Sequence, residues 1–101
     1  SKGALTTMTL SLARALAPKI RVNAICPGFV QTDMVETLKA QVAQSSGMSG
    51  DDMVKAALAR VPLGRVLNPD EIAALAVYLG SHESRGMTGQ SILLDGGMLM
   101  V

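Results

Sequence analysis

The stretch Asn23-Ala-Ile-Cys26-Pro27-Gly28-Phe29-Val30-Gln31-Thr32 holds the residues best suited to chemistry. An apolar, strand-like run ends in Pro-Gly. A short loop follows, and a threonine stands directly before a helical pattern. The proline ring removes an amide donor and fixes φ, so a strand is expected to stop there. Gly28 allows a sharp turn or a close approach of the backbone to a ligand. The helix expected from about Asp33 offers free N–H groups at its start. In α/β sheets, a crevice at the carboxyl end of a strand is where ligands sit. The pattern points to a small-molecule site. Other reactive side chains are isolated. Cys26 has no His or second Cys beside it and reads as a small buried apolar residue. His82 lies in a polar loop, Met98 and Met100 are too few for a copper site, and no metal is expected. Lys2, read alone, is an ordinary exposed lysine at a helix end.

The elements around that stretch follow from periodicity. Residues 3 to 17 read as a helix with an apolar stripe of Leu5, Met8, Leu12 and Leu16, ended by Pro18. Ile20 to Cys26 reads as a strand buried on both faces of a parallel sheet. Thr32 can cap a helix carrying Met34, Val35, Leu38 and Val42, which stops near Gly47. Ser49 can cap the next, with Asp51 and Asp52 in its first turn and Met53, Val54, Ala57, Leu58 and Val61 on its apolar side. Asp51 and Lys55 form an i, i+4 pair of small energetic worth. Pro62-Leu63-Gly64-Arg65 breaks that helix. Asn68-Pro69-Asp70-Glu71 is a strong helix start, with a cap, a proline at the first helical position and a capping-box-like glutamate. Ile72, Leu75, Ala76 and Leu79 line one face of this helix up to about Ser81. Gln90 to Asp95 reads as a short strand ended by Gly96-Gly97, followed by an apolar tail.

A strand, a long crossover and a second strand imply two parallel strands joined right-handedly. The fold class is therefore α/β, with two parallel strands and about four helices. Two strands make a poor sheet, and the first helix carries more apolar surface than this chain can cover. The physical expectation is part of a layered α/β domain.

Bulk properties narrow the function. The chain has 101 residues, 49% hydrophobic and 17% charged, with one Phe, one Tyr and no Trp. At that length it is one domain or part of one. A net charge of +1 gives no support for a nucleic-acid surface. No apolar run reaches the ~18 residues needed to span a membrane, and no signal peptide is visible. One cysteine excludes an internal disulfide and fits a reducing, cytoplasmic setting. The chain opens inside an apparent helix without an initiator Met, so a piece of a longer protein is expected.

These segments resemble the C-terminal part of the short-chain dehydrogenase/reductase family. The resemblance covers essentially the whole chain as a single-domain portion, residues 1–101. It is carried by Ser1-Lys2-Gly3-Ala4-Leu5, Ile20-Arg21-Val22-Asn23-Ala24-Ile25-Cys26-Pro27-Gly28, Val30-Gln31-Thr32, Pro62-Leu63-Gly64-Arg65, Pro69-Asp70-Glu71-Ile72-Ala73, and Thr88-Gly89 followed by Leu94-Asp95-Gly96-Gly97. Each is weak alone; the order and spacing together are specific. The resemblance implies the C-terminal fragment of a Rossmann-like, doubly wound parallel sheet. It implies hydride transfer between NAD or NADP and an alcohol or ketone.

In that family a tyrosine stands four residues before a lysine on one helix, and i, i+4 spacing puts both on one face. Lys2 matches the lysine, so the tyrosine would fall before Ser1. The family's catalytic serine and glycine-rich nucleotide turn are likewise not in these 101 residues, and the chain by itself is expected to be inactive. The resemblance assigns Lys2 to lowering the tyrosine pKa and to the ribose hydroxyls. It assigns Pro27 and Gly28 to the wall beside the nicotinamide, and Val30 (through its backbone) and Thr32 to the carboxamide. Phe29 and Met34 would border the substrate, and residues 33–61 would form the substrate lid. A homo-oligomer, dimer or tetramer, is implied, with the stretch after Gly97 near a subunit contact. The competing reading is a non-catalytic oligomerisation module or a truncated chain without its own function.

Overall fold

The computed structural model describes residues 2–32, 36–37, 40–41, 44, 47 and 49–99, and of Lys2 the backbone alone. The elements are α1 (Lys2–Leu16), β1 (Ala24–Pro27), α2 (Gly50–Leu58), α3 (Pro69–Leu79), a 3-10 turn (His82–Ser84) and β2 (Ser91–Leu94). They fall into two compact units, one of Ser1–Pro27 with Asp70–Leu94, the other of Gly28–Pro69 with Asp95–Val101.

In the first unit β1 and β2 lie parallel, in register from Ala24↔Ser91 to Pro27↔Leu94. This is the co-directional pair that a long crossover demands. Both strands are shorter than expected. Residues 21–23 spend their polar groups on the loop before β2. Val22 N–H donates to Thr88 Oγ1 at 3.1 Å, and Asn23 Nδ2 donates to the Met87 carbonyl at 3.1 Å. Asn23 Oδ1 accepts from Gln90 N–H at 3.1 Å. Side chains thus replace part of the ladder. Pro27 is the last residue of β1, not a residue beyond it. A strand end tolerates proline because the carbonyl stays available and the lost donor breaks no central ladder.

The strands are also less buried than expected: Ala24 is buried, but Ile25, Cys26 and all of β2 are half-buried. Two strands leave two open edges, and these helices cannot cover both faces. Helix α1 packs on β1. Most of the expected stripe is not buried. Thr9 and Ala13 are buried, whereas Met8, Leu12 and Leu16 remain 53%, 41% and 39% exposed. Thr9 and Ala13 stand at i, i+4 and so share one face of the helix. Thr9 Oγ1 satisfies its buried hydroxyl by donating to the Leu5 carbonyl at 2.7 Å.

The second unit holds α2. Ser49 caps it as expected, its backbone extended and its side chain accepting from Asp52 N–H at 3.0 Å. Met53, Val54, Ala57 and Leu58 are half-buried, while Asp51, Asp52 and Lys55 are exposed. Val61 and Leu67 are buried in this unit. Residues 36–37, 40–41 and 44 are helical, and Glu36 N–H donates to the Thr32 carbonyl at 3.3 Å. That bond places Thr32 at the head of a helical turn. Met34, Val35, Leu38, Val42, Met100 and Val101 lie outside the described residues. No described helix is long and apolar enough to cross a membrane.

Candidate nicotinamide-side wall

The second unit begins with the residues that follow β1. Gly28 does not have a positive φ. Its lack of a side chain is required for another reason: a Cβ there would stand 2.8 Å from Asp95 Cβ and 2.9 Å from Asp95 Cα. The close approach is therefore to the chain itself. Phe29, Val30 and Gln31 then run beside Leu67. Leu67 N–H donates to the Phe29 carbonyl at 2.7 Å, and Gln31 N–H donates to the Leu67 carbonyl at 2.8 Å. Val30 and Leu67 form a parallel bridge. In a parallel bridge the partner bonds to the residues on either side. The N–H and C=O of Val30 are thus directed away from Leu67.

Leu67 is only 3% exposed, so this short ladder is anchored to the interior of its unit. Gln31 Nε2 donates to Glu36 Oε1 at 2.6 Å, which ties the ladder to the following helical turn. Phe29 and Thr32 are exposed. The arrangement offers a backbone donor and acceptor at Val30, flanked by the exposed residues Phe29 and Thr32.

Of the expected site residues, Gly28, Phe29, Val30 and Thr32 stand within this one stretch. Pro27 is exposed at the end of β1 and Lys2 is the first residue of α1, both in the first unit. Met34 lies outside the described residues. A hollow of about 260 Å³ in the first unit, lined by Leu10, Ala13, Arg14, Ala17 and residues 88–90, contains none of them. Among the described residues, no group of three His, Cys, Asp or Glu side chains could hold a metal ion.

Two structural residues escaped the sequence reading. Asp95 is buried, and its carboxylate accepts from Gly97 N–H at 2.9 Å and Leu99 N–H at 3.0 Å. An aspartate before two glycines signals the turn; nothing local signals its packing on Gly28. Arg21 in the first unit donates to the carbonyls of Ser84, Met87, Leu79 and Ser81 at 2.8, 3.0, 3.0 and 3.2 Å. A lone arginine opening an apolar run was the available clue.

Comparison with known proteins gives the family and the fold. Residues 1–99 match the family described as Enoyl-(Acyl carrier protein) reductase. The 3-oxoacyl-(acyl-carrier-protein) reductase FabG of Thermotoga maritima is 40% identical over 101 residues, which cover 99% of this chain and 37% of that protein. A short chain dehydrogenase family protein from Francisella tularensis is 44% identical with a TM-score of 0.89, over 95% of this chain and 40% of that one. The L-sorbose reductase of Gluconobacter frateurii, solved with NADPH and L-sorbose, is 27% identical with a TM-score of 0.89, over 98% of this chain and 38% of that one. The chain belongs to the short-chain dehydrogenase/reductase family, and its α/β arrangement is part of that family's Rossmann-like fold. It spans 37% of the length of the FabG relative it matches.

Proposed function

We propose that these residues form the nicotinamide side of an NAD(P)-dependent oxidoreductase that interconverts a secondary alcohol and a ketone. One observation carries the reading. The Val30–Leu67 bridge turns the backbone N–H and C=O of Val30 away from Leu67, on a ladder anchored by a buried residue. A carboxamide has one donor group and one acceptor, so this backbone pair suits it. Thr32, exposed two residues on, would add a hydroxyl. Gly28 and Pro27 would set how closely the wall approaches the ring. Phe29 and Met34 would border the substrate, and residues 33–61 would close over it. When bound, the nicotinamide supplies or takes the hydride.

Lys2 would act on the proton. In the family, the acid–base tyrosine precedes the matching lysine by four residues. An ammonium on the same helix face favours the phenolate and lowers the tyrosine pKa toward working pH. In reduction the carbonyl oxygen takes the tyrosine proton while its carbon takes the hydride; in oxidation both steps reverse. The proposal includes residues 1–101 as part of one nucleotide-binding domain, a cytoplasmic location and a homo-oligomer with a subunit contact near the stretch after Gly97. It also includes inactivity of the 101 residues by themselves.

The test uses the natural protein at full length, with NADH or NADPH and a panel of ketones and 3-oxoacyl thioesters. Consumption of the reduced nicotinamide is followed by absorbance. Lys2→Met is expected to lower kcat/KM by on the order of a hundredfold or more. Turnover equal to the wild type would remove Lys2 from the mechanism, and no turnover with any carbonyl would remove the activity.

A further inference from the structure

We propose that Asp95 is a positioning residue for the cofactor, whose turn holds the Gly28 wall and the end of the lid in one fixed register. The proposal rests on the reading in which Gly28 and Val30 border a nicotinamide.

Asp95 is 9% exposed, and each carboxylate oxygen accepts a backbone N–H, from Gly97 and from Leu99. Its own carbonyl accepts from Met98 N–H at 3.3 Å. One side chain therefore shapes the whole turn from residue 95 to 99. Bonds from backbone amides to a carboxylate are among the stronger kind.

The turn touches two functional segments of its unit. On one side the Asp95 backbone packs against Gly28, with room for no Cβ between them. On another, the Gly96 carbonyl accepts from Leu63 N–H at 3.0 Å. Gly96 has φ 67°, and a Cβ there would lie 2.7 Å from Val61 Cγ1; a Cβ at Gly97 would lie 3.1 Å from Pro62 Cγ. Val61, Pro62 and Leu63 are where the expected lid ends. No flexible side chain separates Asp95 from Gly28. Close-packed contacts of this kind have no slack, so a displaced turn displaces its neighbours. Val30 stands two residues beyond Gly28, so movement of the wall reaches the carboxamide partner. Asp95 itself would touch neither cofactor nor substrate; it acts through Gly28.

A purely structural aspartate would change stability and leave the folded protein's affinity for cofactor unaltered. The test therefore compares Asp95→Ala and Asp95→Asn in the full-length natural protein. NADH and NADPH binding is titrated by fluorescence, cofactor KM is compared with kcat, and amide hydrogen exchange is followed without cofactor. Asp95→Ala is expected to weaken cofactor binding about tenfold, with KM rising by more than kcat falls. Exchange should quicken together at 28–31 and 61–64. Asparagine keeps one acceptor oxygen, so Asp95→Asn should lose less and partly rescue both readouts. Wild-type affinity in a folded variant, or faster exchange confined to 96–99, overturns the proposal. If Asp95→Ala does not fold, Asp95→Asn decides on the same criteria. A folded wild type that binds neither nicotinamide overturns the functional reading and this proposal with it. A wild type that binds, with an unchanged Asp95→Asn affinity, overturns the positioning role alone.

Discussion

A methyl group on Gly28 would stand 2.8 Å from Asp95 Cβ and 2.9 Å from Asp95 Cα. Non-bonded carbons sit at about 3.5–4.0 Å, so one of the two backbones would have to move. Glycine at this point is thus a packing requirement between two segments of the same unit. Its φ lies outside the left-handed region.

Gly28→Ala is therefore expected to destabilise the protein by about 1–3 kcal/mol, the usual range for overpacking. Reduced freedom of the unfolded chain returns only about 0.4–1 kcal/mol, so the net sign stays unfavourable. Urea unfolding of the full-length protein measures it. A midpoint equal to the wild type would show that the Gly28–Asp95 approach can relax freely.

Arg21 is the corresponding fixed point of the first unit. Its guanidinium serves the carbonyls of Leu79, Ser81, Ser84 and Met87, gathering the end of α3 and the following loop. Ser84, the most buried residue there, adds its hydroxyl to the Leu79 carbonyl at 2.8 Å. Arg21→Met should cost about 3 kcal/mol or more, because several carbonyls lose a charged donor at once. Arg21→Lys keeps the charge without the planar fork and should fall between. Thermal unfolding of the three proteins tests the order. A lysine variant as stable as the wild type would mean that charge alone suffices.

Most elements could be read from the chain because their signals are local. Ser49 with its following aspartates, Pro69 opening α3, and the Pro62–Arg65 break act within a few residues, and each stands where expected. The parallel pairing of β1 and β2 followed from crossover length. What stayed hidden depended on partners distant in sequence. Leu67 bridges Val30, Asp95 abuts Gly28, and Arg21 reaches residues 58 to 66 positions away. The choice of packing face on α1 also escaped periodicity. Hydrophobic spacing finds the large side chains, whereas the positions buried on α1 are Thr9 and Ala13.

The cap on α2 gives a smaller, cleaner effect. Ser49 Oγ accepts from Asp52 N–H, and Asp51 and Asp52 lie in the first turn. Ser49→Ala should cost about 1 kcal/mol, and Ser49→Asp less, since an aspartate also caps. The gain from aspartate is limited by the two carboxylates already at that helix end. Because α2 belongs to the expected lid, substrate KM should rise with Ser49→Ala while cofactor affinity holds. Steady-state kinetics on both substrates would show the split, and equal loss of both would place α2 outside the lid.

Met8, Leu12 and Leu16 share one face of α1 at i, i+4 spacing, each well over a third exposed. Burying what remains of these three side chains on both copies of a self-associated pair is worth roughly 6 kcal/mol in all. Association costs an estimated 4–15 kcal/mol, so this face alone supports only weak contact. The 101-residue chain on its own should therefore self-associate in a concentration-dependent way. The double variant Leu12→Glu with Leu16→Lys should shift it toward monomer, because charges on that face must be desolvated on contact. Sedimentation velocity over a dilution series reads both. A compact, stable monomer of the unaltered chain at every concentration would show that the exposed face needs no cover.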